Sequence, residues 1–337
     1  MNSYHKYSDD FTSSIITPEP ILNPSNKRYA MYPVQYKTIW ANYKTQLKNH
    51  WVVDEVDMSK DIDQWNNKLA DSDRHFLSHV LAFFASADGI VNMNIKTNMI
   101  DLIQIKEAEC AYGKQFDMEN IHGEMYSIMI DVLISDNTQK TKLFNSIATM
   151  PTIAKKAQWC DRWINSDKTF AHKLVAFAIV EGVYFSGSFA SIFWLKTRPD
   201  SPMPGLRKSN RFIARDEALH VDLACQLYSL LDHRLKQDIV NDMIKDAVKI
   251  EEEFINEAIP CALLGMNASS MTEYIKYTAD RLLVQLGYNK LYDAKMVFDF
   301  MNRIDMFVKA NFFEERNDSY TSAAIDNPRV FKILDVF

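Results

Sequence analysis

The chain has 337 residues, 47% hydrophobic and 24% charged, enough apolar material for a large buried core. Only 8 glycines and 10 prolines interrupt it, which predicts long helices and argues against a turn-rich β fold. A net charge of −6 with no basic run excludes a nucleic-acid footprint, and no stretch of 18 or more consecutive apolar residues predicts a membrane span.

Residues 1–32 carry Pro18, Pro20 and Pro24 among scattered Ser, Asn and Thr, and read as a flexible arm. Helical periodicity begins after Pro33, with Val34–Trp40, and continues towards Lys48; a short irregular stretch around Trp51–Asp57 follows. Four long segments then form the predicted core: about Asp73–Asp101, Gln104–Ile134, Phe170–Lys196 and Ser209–Leu231. Two shorter helices, Asn137–Ala148 and Ile153–Asn165, fill the middle, and Pro199, Pro202, Pro204 and Gly205 break the chain before the fourth core helix. Helices at about Arg234–Ile259 and Met271–Leu286 complete a helical domain spanning 33–316, with Glu251-Glu252-Glu253 read as a solvated face. Residues 317–337 form a polar, aperiodic tail that turns apolar at its end. The expected fold class is all-α.

Cys110, Cys160, Cys225 and Cys261 lie far apart, with no Cys-x-x-Cys spacing. That argues against a thiolate metal site or a redox disulfide and suggests a reducing compartment. The polar start, Met1–Asp10, lacks the apolar core of a signal peptide, so a cytoplasmic protein is expected.

Two stretches repeat one arrangement, Glu119-Asn-Ile-His122 and Glu217-Ala-Leu-His220. Each follows a lone carboxylate in an otherwise apolar helix: Asp88 within Leu81–Val91, and Glu181 within Leu174–Phe185. A buried carboxylate is costly unless it is neutralised or bound to a cation. Taken singly, each residue has a plainer reading. An isolated Glu-x-x-His is usually a satisfied polar pair, Asp88 could cap a kink near Gly89, and Glu181 could pair with a buried arginine. Together, four carboxylates and two histidines in this order are the ligand set of a dinuclear metal site inside a four-helix bundle.

Glu and His at i and i+3 lie about 60° apart on a helix, so both can face one point. Tyr126, four residues past His122, falls between their azimuths about one turn further on. Alone it would be core filler; beside a metal site it is a candidate for one-electron oxidation. Phe185 and Phe189, at i+4 and i+8 from Glu181, can wall it with apolar rings. Carboxylates and imidazoles without thiolates suit iron or manganese and O₂ activation. The oxidising power could serve iron storage, oxidation of an organic substrate, or a protein radical; Tyr126 favours the last.

The segments Asp-Gly-Ile-Val-Asn (88–92), Glu-Asn-Ile-His-Gly-Glu-Met-Tyr (119–126), Phe-Ser-Gly-Ser-Phe-Ala-Ser-Ile-Phe-Trp (185–194) and Arg-Asp-Glu-Ala-Leu-His (215–220) carry a resemblance. They resemble the small, radical-generating subunit of class I ribonucleotide reductase, most closely its eukaryotic and large-DNA-virus branch. The likeness covers roughly 33–316 and extends to Met-Pro-Gly-Leu (203–206), Ala-Asp-Arg-Leu (279–282) and Asn-Phe-Phe-Glu (311–314). It implies a ferritin-like bundle with additional flanking helices, two iron ions per chain (with a manganese variant open) and a tyrosyl radical on Tyr126. It also implies a homodimer, and a transfer path through Trp51, Asp216, the ligand His122 and, in the tail, Tyr320. From the residues alone, Trp51 reads as a core aromatic and Tyr320 as part of a flexible tail. The family holds its large catalytic subunit by the C-terminus, here Phe331, Ile333, Leu334, Val336 and Phe337. No phosphate loop, nucleotide fingerprint or thiol pair is present, so ribonucleotide reduction would belong to that partner.

Met93 stands where the family pattern has Glu, and Glu109, Ala111 and Lys114 replace Arg, Phe and Phe. Pro199–Pro202 makes a connection longer than usual. The competing readings are a ferritin-type ferroxidase and a radical-dead regulatory relative that only binds the large subunit. The intact ligands and Tyr126 speak against the latter.

Overall fold

A computed structural model describes residues 19–164, 167–258 and 266–301. Among these residues the regular elements are helices. They run α1 (Lys37–Lys48), α2 (Ser59–Asn67), α3 (Asp71–Asn94), α4 (Lys106–Leu133), α5 (Asn137–Phe144), α6 (Ser146–Thr149) and α7 (Pro151–Ile164). They continue as α8 (Phe170–Ile179), α9 (Ser186–Trp194), α10 (Pro204–Ser229), α11 (Gln237–Ala258) and α12 (Ala268–Gln285). The chain divides into two compact units, residues 1–297 and 298–337. Of the second only Phe298–Met301 are described; the rings of Phe298 and Phe300 stack there at 5.1 Å.

The core of the first unit is a four-helix bundle. Its members are α3, α4, the continuous run from α8 to α9, and α10; α3 packs on α4 and α8 packs on α10. Two of these, Asp71–Ile100 and Phe170–Thr197, are long and apolar enough by composition to cross a membrane. Most of each apolar window is buried inside the protein, as core helices require, and α8 is buried on almost every face.

The third core helix is not regular. Val180–Tyr184 forms a π turn between α8 and α9, and Ile95–Ile100 does the same at the end of α3. Sequence periodicity treats both as plain α-helix, because one wide turn shifts the apolar stripe too little to break the pattern. π turns cluster at functional sites, and this one carries Glu181.

The fourth core helix starts five residues earlier than periodicity suggests, at Pro204, whose fixed φ suits a first helical turn. Its first amides are capped from a distance: Asp61 on α2 accepts from Gly205 N at 2.9 Å and from Leu206 N at 2.8 Å. Position 205 requires glycine, since a Cβ there would lie 2.5 Å from the Asp57 carbonyl oxygen. Helix α2 itself, between the irregular stretch around Trp51–Asp57 and the first core helix, went unread in the sequence.

Two further expectations are corrected. The arm expected over 1–32 is docked from Glu19 onward: Ile21 is fully buried, its carbonyl accepts from Gln104 N at 2.8 Å, and Arg28 pairs with Glu107 on α4. Residues 1–18 lie outside the described residues, as does the tail 317–337. The acidic run 251–253 is not a solvated face throughout. Glu251 is fully buried and ion-paired to Lys156 at 2.5 Å, while Glu252 pairs with Lys276 and Glu253 with Lys155.

Candidate metal centre

The bundle brings all six predicted ligands together. Donor atoms of Glu119, Glu181, Glu217 and His220 lie within 4.8 Å of one another, and so do those of Asp88, Glu119 and His122. Glu119 belongs to both groups, and all six residues are buried. Each Glu-x-x-His pair closes on itself as its helical spacing demands. His122 Nδ1 lies 3.2 Å from Glu119 Oε2 and 3.1 Å from Glu217 Oε1; His220 Nδ1 lies 2.9 Å from both Glu217 Oε2 and Glu119 Oε1. Both imidazoles thus turn the same nitrogen towards the shared carboxylates.

The electrostatics are those of a cluster built for cations. Burial, then the charge of Glu119, pushes the Asp88 carboxyl well above the usual range. Burial and the neighbouring Glu217 do the same to Glu181. Burial alone would lower His220, but the charges of Glu119 and Glu217 bring it up to about 9; His122 is likewise raised well above normal by Asp216, Glu119 and Glu217. Neither Asp88 oxygen has a protein hydrogen-bond partner, nor does Glu181 Oε2. A carboxylate left so deep without a donor fits a bound cation. Four carboxylates also match the charge of two divalent ions, and the O/N donor set without sulfur suits iron or manganese.

Around the ligands sit residues the sequence did not single out. Gln115, one turn before Glu119 on α4, donates from Nε2 to Glu181 Oε1 at 3.2 Å and lies 3.3 Å from Glu119 Oε1. The i+4 spacing to Glu119 was the available signal. Tyr126 is buried, and its ring stacks at 4.6 Å and 12° on Phe84, which was not picked out either. Phe185 and Phe189 pack against Phe84 at 5.7 and 5.0 Å, so they wall the tyrosine at one remove. Burial first, then the charge of Asp88, holds the Tyr126 phenol well above its ordinary pKa.

His122 leads outward. Its Nε2 lies 3.2 Å from Asp216 Oδ2, and the same oxygen accepts from Trp51 Nε1 at 2.8 Å. The Trp51 and His122 rings lie nearly parallel, with centroids 6.0 Å apart. Arg215 fixes this corner by donating to the Asn49 carbonyl at 2.6 Å. Of the departures from the family pattern, Met93 is half-exposed, Glu109 pairs with Lys106 and Ala111 is buried. Lys114 is buried too, donating to Asp117 at 2.8 Å and at 2.7 Å to Nδ1 of His50, the residue before Trp51. Tyr320, Phe331, Ile333, Leu334, Val336 and Phe337 lie outside the described residues.

The chain matches the family "Ribonucleotide reductase, small chain" over residues 28–298. It is 59% identical over 337 residues to the ribonucleoside-diphosphate reductase small chain of Acanthamoeba polyphaga mimivirus, covering all of this chain and 81% of that one. It is 50% identical over 307 residues to the small subunit from Dictyostelium discoideum, covering 91% and 90% of the two chains. Among solved structures it resembles the Rnr4 homodimer of the Saccharomyces cerevisiae ribonucleotide reductase. The TM-score is 0.77 and the identity 35%, over 87% of this chain and 93% of that one. A Clostridium botulinum R2 subunit, 22% identical, shares the fold at a TM-score of 0.72, over 81% and 89% of the chains. A buried carboxylate–histidine cluster in a ferritin-like helical bundle, with these relatives, places the chain in the small-subunit family of ribonucleotide reductase, an oxidoreductase subunit.

Proposed function

We propose that Asp88, Glu119, His122, Glu181, Glu217 and His220 hold two iron ions, and that Tyr126 forms a stable radical. A large catalytic subunit then uses this radical to reduce ribonucleotides to deoxyribonucleotides. The observation that carries this reading is the partnerless Asp88 carboxylate in a thiolate-free donor cluster, with a fully enclosed tyrosine projecting from the helix that supplies Glu119 and His122. Iron bound there would supply O₂ activation; manganese fits the same donors.

The protein groups have separate tasks. Gln115 orients Glu181 and Glu119. Phe84 and the rings behind it keep water from Tyr126. Because the phenol is held un-ionised, one-electron oxidation must also move the proton off its oxygen. Asp216 accepts from Trp51 and fixes His122 Nε2, so the Trp51–Asp216–His122 contact is the proposed transfer path, with Tyr320 continuing it in the tail. The apolar end Phe331, Ile333, Leu334, Val336 and Phe337 on a polar tether suits docking into a groove of the large subunit. A homodimer and a cytoplasmic setting complete the proposal; Cys110, Cys160 and Cys225 are free thiols, as a reducing compartment allows.

The test is reconstitution of apoprotein with Fe(II) and O₂, followed by assay with a large subunit. The proposal expects about two irons per chain and deoxyribonucleotide formation, both lost in His220→Ala. Iron retained by that variant would refute the ligand assignment. Deleting the last seven residues should keep the iron and abolish binding to the large subunit; undiminished affinity would refute the docking role.

A further inference from the structure

A second set of oxidisable rings leads out from the core, separate from Trp51. Tyr184, in the π turn, meets Trp159 edge-on at 5.4 Å; Trp159 lies 6.3 Å from Trp163, which is partly exposed and stacks on His172 at 6.0 Å. Among the described residues, the rings leading from this ladder towards Tyr126 are phenylalanines: Phe84 on Tyr126, and Phe83 5.8 Å from Phe84. At this junction sits the fully buried Lys156–Glu251 pair. The Lys156 ammonium lies 3.5 Å from the Phe83 ring centroid, 3.8 Å from that of Phe254 and 5.3 Å from that of Tyr184. Glu251 Oε2 pairs with the ammonium, and its Oε1 lies beside Gly187, 3.0 Å from where a Cβ there would stand. The positive end of the pair is the one set directly over the Phe83 and Phe254 rings.

The two aromatic routes have opposite electrostatics. The Trp51 indole N–H donates to a carboxylate, which stabilises positive charge on that ring and can take its proton. Trp159 Nε1 and the Tyr184 hydroxyl have no protein hydrogen-bond partner, so neither has a base to receive a proton on oxidation. Cations stand at both ends of the ladder: Lys156 near Tyr184, and Arg162 and Lys168 at 5.9 and 5.6 Å from the Trp163 ring. A cation over a ring opposes removal of an electron from it, more strongly in a dry interior than in water. A buried ion pair is no general device for stability, which leaves room for another purpose.

We infer that the Lys156–Glu251 pair insulates the Tyr184–Trp159–Trp163 ladder, confining the oxidising equivalent to Tyr126 and to the Trp51 exit. This rests on the reading of Tyr126 as the radical site. Without the pair, one electron passes from the Trp159 indole to the Tyr126 phenoxyl, which takes back the proton it gave up on oxidation; Trp159 is left as an indole radical cation.

The test compares wild type with the doubly neutral Lys156→Gln/Glu251→Gln protein, whose two amides can still hydrogen-bond, and with Lys156→Met/Glu251→Leu should the first fail to fold. Thermal unfolding of the apoproteins and iron content establish intact folds. Electron paramagnetic resonance then reads radical identity and lifetime. The inference expects a tyrosyl lifetime at least about tenfold shorter or an indole radical in the neutral variant, and restoration when Trp159→Phe is added. An unchanged lifetime in the neutral variant, or no rescue by Trp159→Phe, overturns the inference alone. Absence of a tyrosyl radical in wild type overturns the underlying reading and this inference with it.

Discussion

The two halves of the bundle carry one ligand pattern and lead to different places. In the first, Asp88, Glu119 and His122 stand on regular helix, Tyr126 follows four residues after the histidine, and His122 Nε2 continues to Asp216 and Trp51. In the second, Glu181 sits in a π turn and leans on Gln115 from the first half, position 224 four residues after His220 is alanine, and His220 Nε2 has no protein partner. A repeated pattern thus supplies a paired donor set, while among the described residues the first side alone continues outward, from His122 through Asp216 to Trp51. On the proposed reading the second half serves as a holder.

Ways to break this asymmetry rank by expected effect. Glu119 is shared by both donor groups, so its loss should remove both proposed ions. Glu119→Ala should abolish iron binding altogether, by metal analysis of the reconstituted protein, whereas Glu252→Ala should bind as wild type does. Trp51→Phe and Asp216→Ala touch only the outward side. Turnover with the large subunit should fall by about two orders of magnitude while iron content stays near normal; normal turnover in both would detach them from the path. Gln115→Leu strikes the amide that joins Glu119 of the first half to Glu181 of the second. Iron affinity should fall about ten- to a hundredfold, measured by competition with a chelator, and an unchanged affinity would deny Gln115 its orienting role.

The smallest effect lies away from the site. Glu107 is pushed up by burial, but Arg28 and the amides of Gln35 and Tyr36 more than offset this and hold its carboxyl below the ordinary range. Its folded pKa is therefore depressed, so its contribution is complete above the ordinary carboxylate range and is lost as pH falls through the lowered value. Discounted for solvent screening, it amounts to no more than about 1 kcal/mol. Thermal unfolding of wild type and Glu107→Gln should therefore converge as the pH is lowered below 4 or so; a gap that widens with acid would contradict the clamp.

Much of this was legible beforehand because the ligands obey helical arithmetic. Glu-x-x-His at i, i+3 and Tyr126 at i+7 must share a face once the segment is helical, and a lone carboxylate in an apolar run announces itself. The π turn at Val180–Tyr184 was not legible, since a single wide turn leaves the apolar run of its helix unbroken. Gln115 and Phe84 act through contacts across helices, and no periodicity marks which polar or aromatic residue faces a neighbour's carboxylate or ring. Lys156 and Glu251 were hidden for a related reason. Each reads as a surface charge on its own amphipathic helix, and only the meeting of α7 with α11 reveals a buried pair. Trp51 and Asp216 were reached through family likeness, because nothing local distinguishes a wired indole from a packed one.

The central claim is that the wired half holds an oxidisable tyrosine beside a metal pair. The most direct measurement is the electron paramagnetic resonance spectrum of apoprotein after Fe(II) and O₂, recorded for wild type and for Tyr126→Phe at matched iron content. The account predicts a persistent tyrosyl signal in wild type and none in the variant, with iron bound equally by both. A full tyrosyl signal in Tyr126→Phe, or none in iron-loaded wild type, would contradict it.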